Sequence, residues 1–566
     1  MKNIISLQNS VINKLFKSGY GFHNYPKDFK YIKKINSKIL KKNTIQPFFF
    51  KDNSYQKKIL IDLPSKLVKK TPSLFWKSVV DLKDIEDQAS AHRWIWAYEL
   101  LNSEFYDKKE KSKAINCLVN NWFYFFGNKK IDKSNVMHES YTISERLTNY
   151  VILLKLGFIK KNNLHLNSLN KQLLHLTENL EFYYKKKSNH LLNNIRAILI
   201  YSNYTKQIFY FKFAYKILKK VIFDFIDKNG FFKFGSSHYQ FIFTKWILDI
   251  FLFTNNNKFI KNIILRALNA CNFFIVKKGQ NISIPLFGNV SPDIPPKFIS
   301  MFINNIIHKK KDKNNKKIFF NKYIDIFLKK KINLNFKKIN DNSEWKKIEN
   351  QKIIVFTRNP ETTGFNFNHS HNDYFHFILF YEKEPVIIDS GRKSYLKEDE
   401  IYKLSEFHNS FLINGKNILD NLVNANTLKN LLSRIYLKYT TKRNRNTLYI
   451  NGVNKFFRFK RDISIGPSWV SIINKFKMND KSNVCFRLHI NNNIALKKNS
   501  GECKMILKKK KSLIKFKTNQ NFILKTKSLK KVNNFEKYGD KIEHQLICLA
   551  FKNVNKVNFE IKIKFL

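Results

Sequence analysis

The chain has little cysteine, little glycine or proline, few acidic residues and no long apolar run. Its five cysteines (Cys117, Cys271, Cys485, Cys503, Cys548) are odd in number and fit no C-x-x-C spacing. That excludes a disulfide framework and a thiolate metal site, and it leaves buried thiols as the expectation. Nowhere do about 18 apolar residues run without a charge, so no membrane span is expected. The opening MKNIISLQNSVINKLFKSGYGF has neither a continuous apolar core nor a small-residue cleavage site, so no plain export leader is read there. With 42 Asp and Glu against 104 Lys and Arg, the formal net charge is +62. Such a charge suits a polyanionic partner, whether acidic polysaccharide, nucleic acid or an anionic membrane face. It is not concentrated, however: lysines run from Lys2 to Lys564 beside an excess of Asn, Ile and Phe, the pattern of an AT-rich coding sequence. Most of the charge is therefore ascribed to composition. No zinc finger, helix-turn-helix signature or RNP-like aromatic motif is present, and no nucleic-acid partner is expected.

What is present is a globular chain in two parts. Its 566 residues exceed what one core can organise, and 43% hydrophobic with 15% aromatic residues is ample for folding. From about Ser90 to Ala270 apolar residues recur at helical spacing, in blocks Arg93 to Leu101, Ala114 to Phe126, Ile143 to Leu156, His190 to Tyr201, Phe209 to Phe225 and Tyr239 to Phe253. Lys/Asn stretches from His308 to Lys317 and from Lys329 to Asn342 read as the interdomain region. After Gln351 short alternating segments predict strands at Lys352 to Thr357, Tyr374 to Tyr381, Val386 to Asp389, Ser433 to Tyr439, Trp469 to Phe476, Leu513 to Lys517 and Val557 to Phe565. Strands without intervening helices argue for an antiparallel sandwich. The predicted division is a helical domain over residues 1–330 and a β domain over 345–566.

Several segments could carry chemistry. Asn368-His369-Ser370-His371-Asn372-Asp373 leads into a predicted strand, where histidines at i and i+2 would face the same way. A later strand ends in Asp389-Ser390-Gly391, and Phe407-His408-Asn409-Ser410 follows. Two imidazoles and a carboxylate arriving from separate strands can bind zinc, although such spacing also arises by chance among fourteen histidines. In the helical half, Ser188-Asn189-His190 opens a helix, with Ser188 or Asn189 as its cap. Gly230 to Tyr239 reads as a glycine loop with an aromatic anchor, and Pro285-Leu286-Phe287-Gly288-Asn289 to Asp293 as a turn without a catalytic group.

Taken in order, five pieces resemble the heparinase II/III family of polysaccharide lyases: Ser188 to Asn194, Gly235 to Tyr239, Pro285 to Asn289, His369 to Asp373 with Asp389-Ser390-Gly391, and His408-Asn409-Ser410. Weaker echoes are Ser144 to Tyr150 and Arg487-Leu488-His489. The resemblance implies an incomplete (α/α) toroid followed by an antiparallel β-sandwich. It implies β-elimination on a uronic-acid-containing glycan in the cleft between them, with Asn189, His190, Tyr239 and His369 as catalytic residues. It further implies a structural zinc held by His371, Asp389 and His408, and no organic cofactor. On this reading Asn189 binds the uronate carboxylate, either histidine serves as base or charge stabiliser, and Tyr239, partly deprotonated by cationic neighbours, exchanges the protons. A basic cleft would draw in an acidic polysaccharide. The resemblance also suggests the periplasm or cell envelope, with a cytoplasmic location left open by the lack of a leader; a dimer is possible. The alternative is an accessory glycan-binding protein of surface-polysaccharide assembly that keeps the scaffold without turnover.

Overall fold

The computed structural model describes residues 55–566 apart from 133, 184–185, 188, 255–256, 313–315, 337–338, 340–342, 360–368, 392–394, 396, 418–436, 455, 492–493, 500–501, 508–509 and 530–543. Ser188, Asn368 and the start of the strand read at Ser433 to Tyr439 thus lie outside the described residues. Among the described residues no helix is long and apolar enough to cross a membrane.

The helical domain is an incomplete (α/α) toroid. Its helices are α1 (Pro72–Ser78), α2 (Ile85–Arg93), α3 (Trp96–Asn102), α4 (Lys108–Phe126), α5 (Ser140–Lys155) and α6 (Asn163–Glu178). They continue as α7 (Asn189–Tyr204), α8 (Ile208–Phe225), α9 (Ser237–Phe253), α10 (Lys258–Phe274), α11 (Pro296–Ile307) and α12 (Ile318–Lys329). The block read from Arg93 to Leu101 is in fact two helices. Trp94 takes a left-handed φ of 64° and stops α2, because its indole is fully buried against Trp122 and Phe123. The stretch from His308 to Lys317 is a loop between α11 and α12 rather than an interdomain linker; α12 follows it because Phe319, Phe320, Tyr323 and Phe327 supply a buried face.

Every residue of α9 is buried, polar ones included. Such a helix needs internal partners for its charges. Asp249 receives Lys245 Nζ at 2.9 Å, Arg196 Nε at 3.0 Å and the Tyr323 hydroxyl, and Arg196 Nη1 reaches Glu145 at 2.8 Å. Two cations and two carboxylates from α5, α7 and α9 therefore neutralise one another inside the toroid.

The C-terminal half is the antiparallel β-sandwich. Its strands are β1 (Trp345–Glu349), β2 (Ile353–Arg358), β3 (Phe377–Tyr381), β4 (Glu384–Ile387), β5 (Phe411–Ile413), β6 (Lys416–Asn417), β7 (Lys438–Asn444) and β8 (Thr447–Val453). They continue with β9 (Phe457–Ile465), β10 (Trp469–Asn491), β11 (Ile494–Asn499), β12 (Glu502–Leu507), β13 (Lys510–Thr518), β14 (Ile523–Leu529) and β15 (His544–Phe565). Hydrogen bonding runs in the order β11-β12-β13-β15-β10-β4-β3-β2-β1, and β10 and β15, far longer than their apolar cores suggest in sequence, pair along most of their length.

Strand β2 is buried at all six residues. Alternation explains this: Ile353 and Val355 enter the sandwich core while Ile354 and Phe356 enter the core of the toroid. Strand β3 repeats the split, with Phe377 and Leu379 on one side and Ile378 and Phe380 on the other. One sheet face is thereby common to both domains.

Candidate active site

A cleft of about 450 Å³ lies at this domain boundary, and Asn189, His190, Tyr239 and His369 all line it, with Glu86, Arg93, Glu139, Tyr141, Asp293 and Tyr395. The fold thus brings the four catalytic candidates together from three places. Asn189 and His190 open α7, Tyr239 sits in the first turn of α9, and His369 precedes β3.

Each is held by local chemistry. Ser236 caps α9, accepting the amide of Tyr239 at 3.2 Å, and fixes where the tyrosine leaves the helix. The imidazole of His369 lies flat on the Tyr239 ring, centroids 3.5 Å apart. The Tyr239 hydroxyl shares a 2.9 Å hydrogen bond with that of Tyr395. His190 Nδ1 meets Glu181 Oε1 at 2.8 Å, and Glu181 is itself gripped by Asn194, which donates Nδ2 to Oε2 at 3.0 Å and accepts the Glu181 amide at 2.9 Å. A carboxylate can only accept, so the proton of neutral His190 sits on Nδ1 and Nε2 carries the lone pair.

Loop 285–289, which carries no obvious function in sequence, ties the site together. Gly288 has φ of +72°, and a Cβ there would stand 2.4 Å from the His369 carbonyl oxygen and 2.5 Å from that of Gly235. Three chain segments meet where only glycine fits. The next residue, Asn289, donates its amide to His369 O at 2.8 Å and places Oδ1 2.8 Å from His371 Nε2.

Histidines 369 and 371 do not face the same way. His369 turns to the cleft and His371 to Asn289, because residues 369–376 are irregular, with Phe375 at φ 64°, and β3 begins only at Phe377. The alternation rule had no strand to act on. Their separation produces a second cluster: ligand atoms of His371, Asp389 and His408, all buried, lie within 4.8 Å of one another. His376 joins it, with Nε2 3.1 Å from Asp389 Oδ2 and Nδ1 accepting the Asn409 amide at 3.0 Å. Since Nδ1 accepts, the proton of the neutral His376 ring is on Nε2, the nitrogen beside the aspartate. Burial would raise the Asp389 carboxyl, but His408 and His376 outweigh it and hold it well below the usual range.

One expectation about the electrostatics is overturned, and a second is not met among the described residues. The Tyr239 phenol is pushed far above its ordinary value by burial, with Tyr141 adding to the effect against the hydrogen bond from Tyr395, so it is a neutral acid and not a partial phenolate. The cleft is also not basic among its described residues. Its one guanidinium, Arg93, is compensated by Asp293 at 2.8 Å, Glu86 at 3.3 Å and Glu139 at 3.6 Å, and no lysine lines it. A buried cleft wall admits charge where opposite charge compensates it.

Glu181, His376 and Tyr395 were missed in sequence. A glutamate in a loop and a tyrosine in Arg392 to Tyr395 carry no pattern; His376, five residues after His371, offered the one available signal.

Residues 341–564 match the family described as Heparinase II/III-like, C-terminal. No curated protein matches the chain. Among solved structures, a heparinase III superimposes with a TM-score of 0.62 at 12% identity, covering 85% of this chain and 78% of that one. A second heparinase III gives 0.59 at 12% identity, over 98% and 91%. The heparan sulfate lyase HepC of Pedobacter heparinus gives 0.53 at 12% identity, over 95% and 83%. At such identities the likeness is one of fold.

Proposed function

We propose that the chain, whose residues 341–564 match the Heparinase II/III-like C-terminal family and lie behind a helical toroid, is a polysaccharide lyase cleaving a uronic-acid-containing glycan by β-elimination. The observation that carries the reading is the convergence of Asn189, His190, Tyr239 and His369 on one interdomain cleft.

Elimination needs the uronate carboxylate neutralised, a proton taken from the carbon beside it, and a proton given to the departing glycosidic oxygen. The Asn189 amide donates to the carboxylate. His190 is the base: Glu181 accepts from Nδ1, so the lone pair of the neutral ring is on Nε2, and the carboxylate stabilises the imidazolium that forms. Tyr239 is the acid, its phenol kept protonated by burial until the leaving oxygen arrives. His369, stacked on that ring, fixes its plane, and the Tyr395 hydroxyl is the route by which the phenolate regains a proton. With Arg93 already compensated, the substrate's charge is met by hydrogen-bond donors and histidines.

The test is incubation with a panel of uronate polymers while following the ultraviolet absorbance of the unsaturated product. Growth of absorbance on one polymer supports the proposal. Glycan binding without absorbance on any of them overturns it in favour of an accessory binding protein.

For His371, Asp389 and His408 we propose a zinc ion. Two imidazoles and a carboxylate form a donor set zinc accepts, all are buried, and Asp389 is already ionised with His376 beside it. Bound there, the metal would cross-link the segments before β3, after β4 and before β5, a structural task.

A further inference from the structure

The sequence leads one to expect buried thiols, and Cys117 and Cys271 are such, both buried in the toroid. Cys485 and Cys548 are different. They sit on β10 and β15, which pair antiparallel with Cys485 opposite Ala550 and Arg487 opposite Cys548. The two cysteines are therefore diagonal neighbours on one face of the sheet. That face is the outer one: both are half-buried, while the alternating Val484, Phe486, Ile547 and Leu549 fill the core. The Cys485 thiol itself has the Phe486 carbonyl oxygen at 3.9 Å.

The surroundings make one thiol of the pair reactive. Cys548 has a cation on each side in register, Arg487 across to β10 and Lys525 across to β14. Cys485, followed by Arg487, Lys525 and Lys527, pulls the Cys548 thiol down to about 7 against the effect of burial. Its partner's thiol is pushed up, first by Cys548 and then by burial. An asymmetric pair, with one thiolate and one protonated resolving thiol, is the arrangement that exchanges disulfides.

We infer that Cys485 and Cys548 are a redox-sensitive pair that closes to a reversible intramolecular disulfide on meeting a small-molecule disulfide such as oxidised glutathione. The Cys548 thiolate attacks one sulfur of the oxidant, breaking its S–S bond and expelling one thiolate. Cys485 then gives up its proton and attacks Cys548 Sγ, breaking the mixed disulfide and expelling the second thiolate. Two protein thiols are oxidised and one small disulfide is reduced to two thiols. Diagonal neighbours have Cα atoms roughly 7–8 Å apart, against a relaxed span of about 4.4–6.8 Å. Closure draws the strands together under strain, with the small Ala550 beside the bridge, and a strained, accessible bridge is readily reduced again.

The experiment treats the full chain with oxidised glutathione under native conditions, digests it without reductant and analyses the peptides by mass spectrometry. The expected product joins the Cys485 and Cys548 peptides with loss of two hydrogens and retains no glutathione; dithiothreitol reverses it. Cys485→Ser should instead trap glutathione on Cys548, and Cys548→Ser should abolish the link. Iodoacetamide labelling of Cys548 should reach half its limiting rate near pH 7. A wild-type protein that keeps glutathione on Cys548, or that does not react, overturns the pair. So does a labelling midpoint at the value of an ordinary free thiol.

Discussion

The imidazole of His369, from the β domain, lies face to face with the phenol of Tyr239, from the toroid, with centroids 3.5 Å apart and planes inclined by 12°. The stack joins the domains at the atom proposed to deliver a proton, so the acid is in place only while the domains are docked.

Removing the Tyr239 hydroxyl should separate chemistry from binding. Tyr239→Phe keeps the ring and its stack, so fold and glycan affinity should persist while turnover falls by roughly 10²–10⁴-fold, the usual contribution of a positioned acid. The measurement is unsaturated-product absorbance on a polymer the wild type cleaves. Near-normal turnover would move the acid to Tyr395.

Gly288→Ala should act on the same stack from outside the cleft. A methyl 2.4 Å from the His369 carbonyl and 2.5 Å from that of Gly235 forces the segments apart, and a positive φ adds roughly 1–3 kcal/mol of strain. Lower denaturant stability and lower turnover are expected together. A variant with wild-type values for both would refute the close approach.

His371→Ala removes one proposed metal ligand and leaves the cleft residues in place. Purified wild-type protein should carry near-stoichiometric zinc by elemental analysis, and the variant should lose it along with several degrees of thermal midpoint, since metal bound only to the folded state stabilises it. A metal-free wild type of full stability would defeat the assignment.

Acid should destabilise the protein through its buried histidines. Burial pulls His165 and His238 down to about 3 and His544 to about 4, from 6.5 in the unfolded chain. Between those limits the unfolded chain binds more protons, so the stability these neutral rings contribute is complete above pH 6.5 and is lost as pH falls towards 4 and below. Each group contributes a slope of about 1.4 kcal/mol per pH unit. Urea unfolding across that window should show the slope. His165→Phe, which preserves the stack on Phe123, should reduce it by one group's share; an unchanged slope would exclude His165 from the effect.

How much of this was legible in the sequence differs by element. The α-to-β order was legible because period 3.6 gives way to period 2 near Gln351; helices up to about Ala270 were read from recurring apolar residues, whereas α11 and α12, set among Lys/Asn stretches, were not. Periodicity failed at Trp94 and at residues 369–376, where a left-handed residue ends or delays an element and the cause is packing from elsewhere in the chain. The candidate site residues came from the resemblance; the residues that contact them did not. Glu181, Tyr395 and His376 matter through distance alone: Tyr395 meets Tyr239 across the two domains, whereas Glu181 and His376 meet their partners within one. The charge misled for a related reason: +62 describes the whole surface, whereas the cleft wall is set by burial, which admitted Arg93 only with Asp293, Glu86 and Glu139.

Strand β2, with Ile353 and Val355 in one core and Ile354 and Phe356 in the other, has no solvent side. A fragment beginning at residue 341 would emerge with Ile354, Phe356, Ile378 and Phe380 as a bare apolar sheet face, of the kind that drives aggregation. The family's domain boundary, clean in sequence, thus runs through a shared wall, and the two halves are parts of one cooperative object that a cell must make, keep or degrade whole.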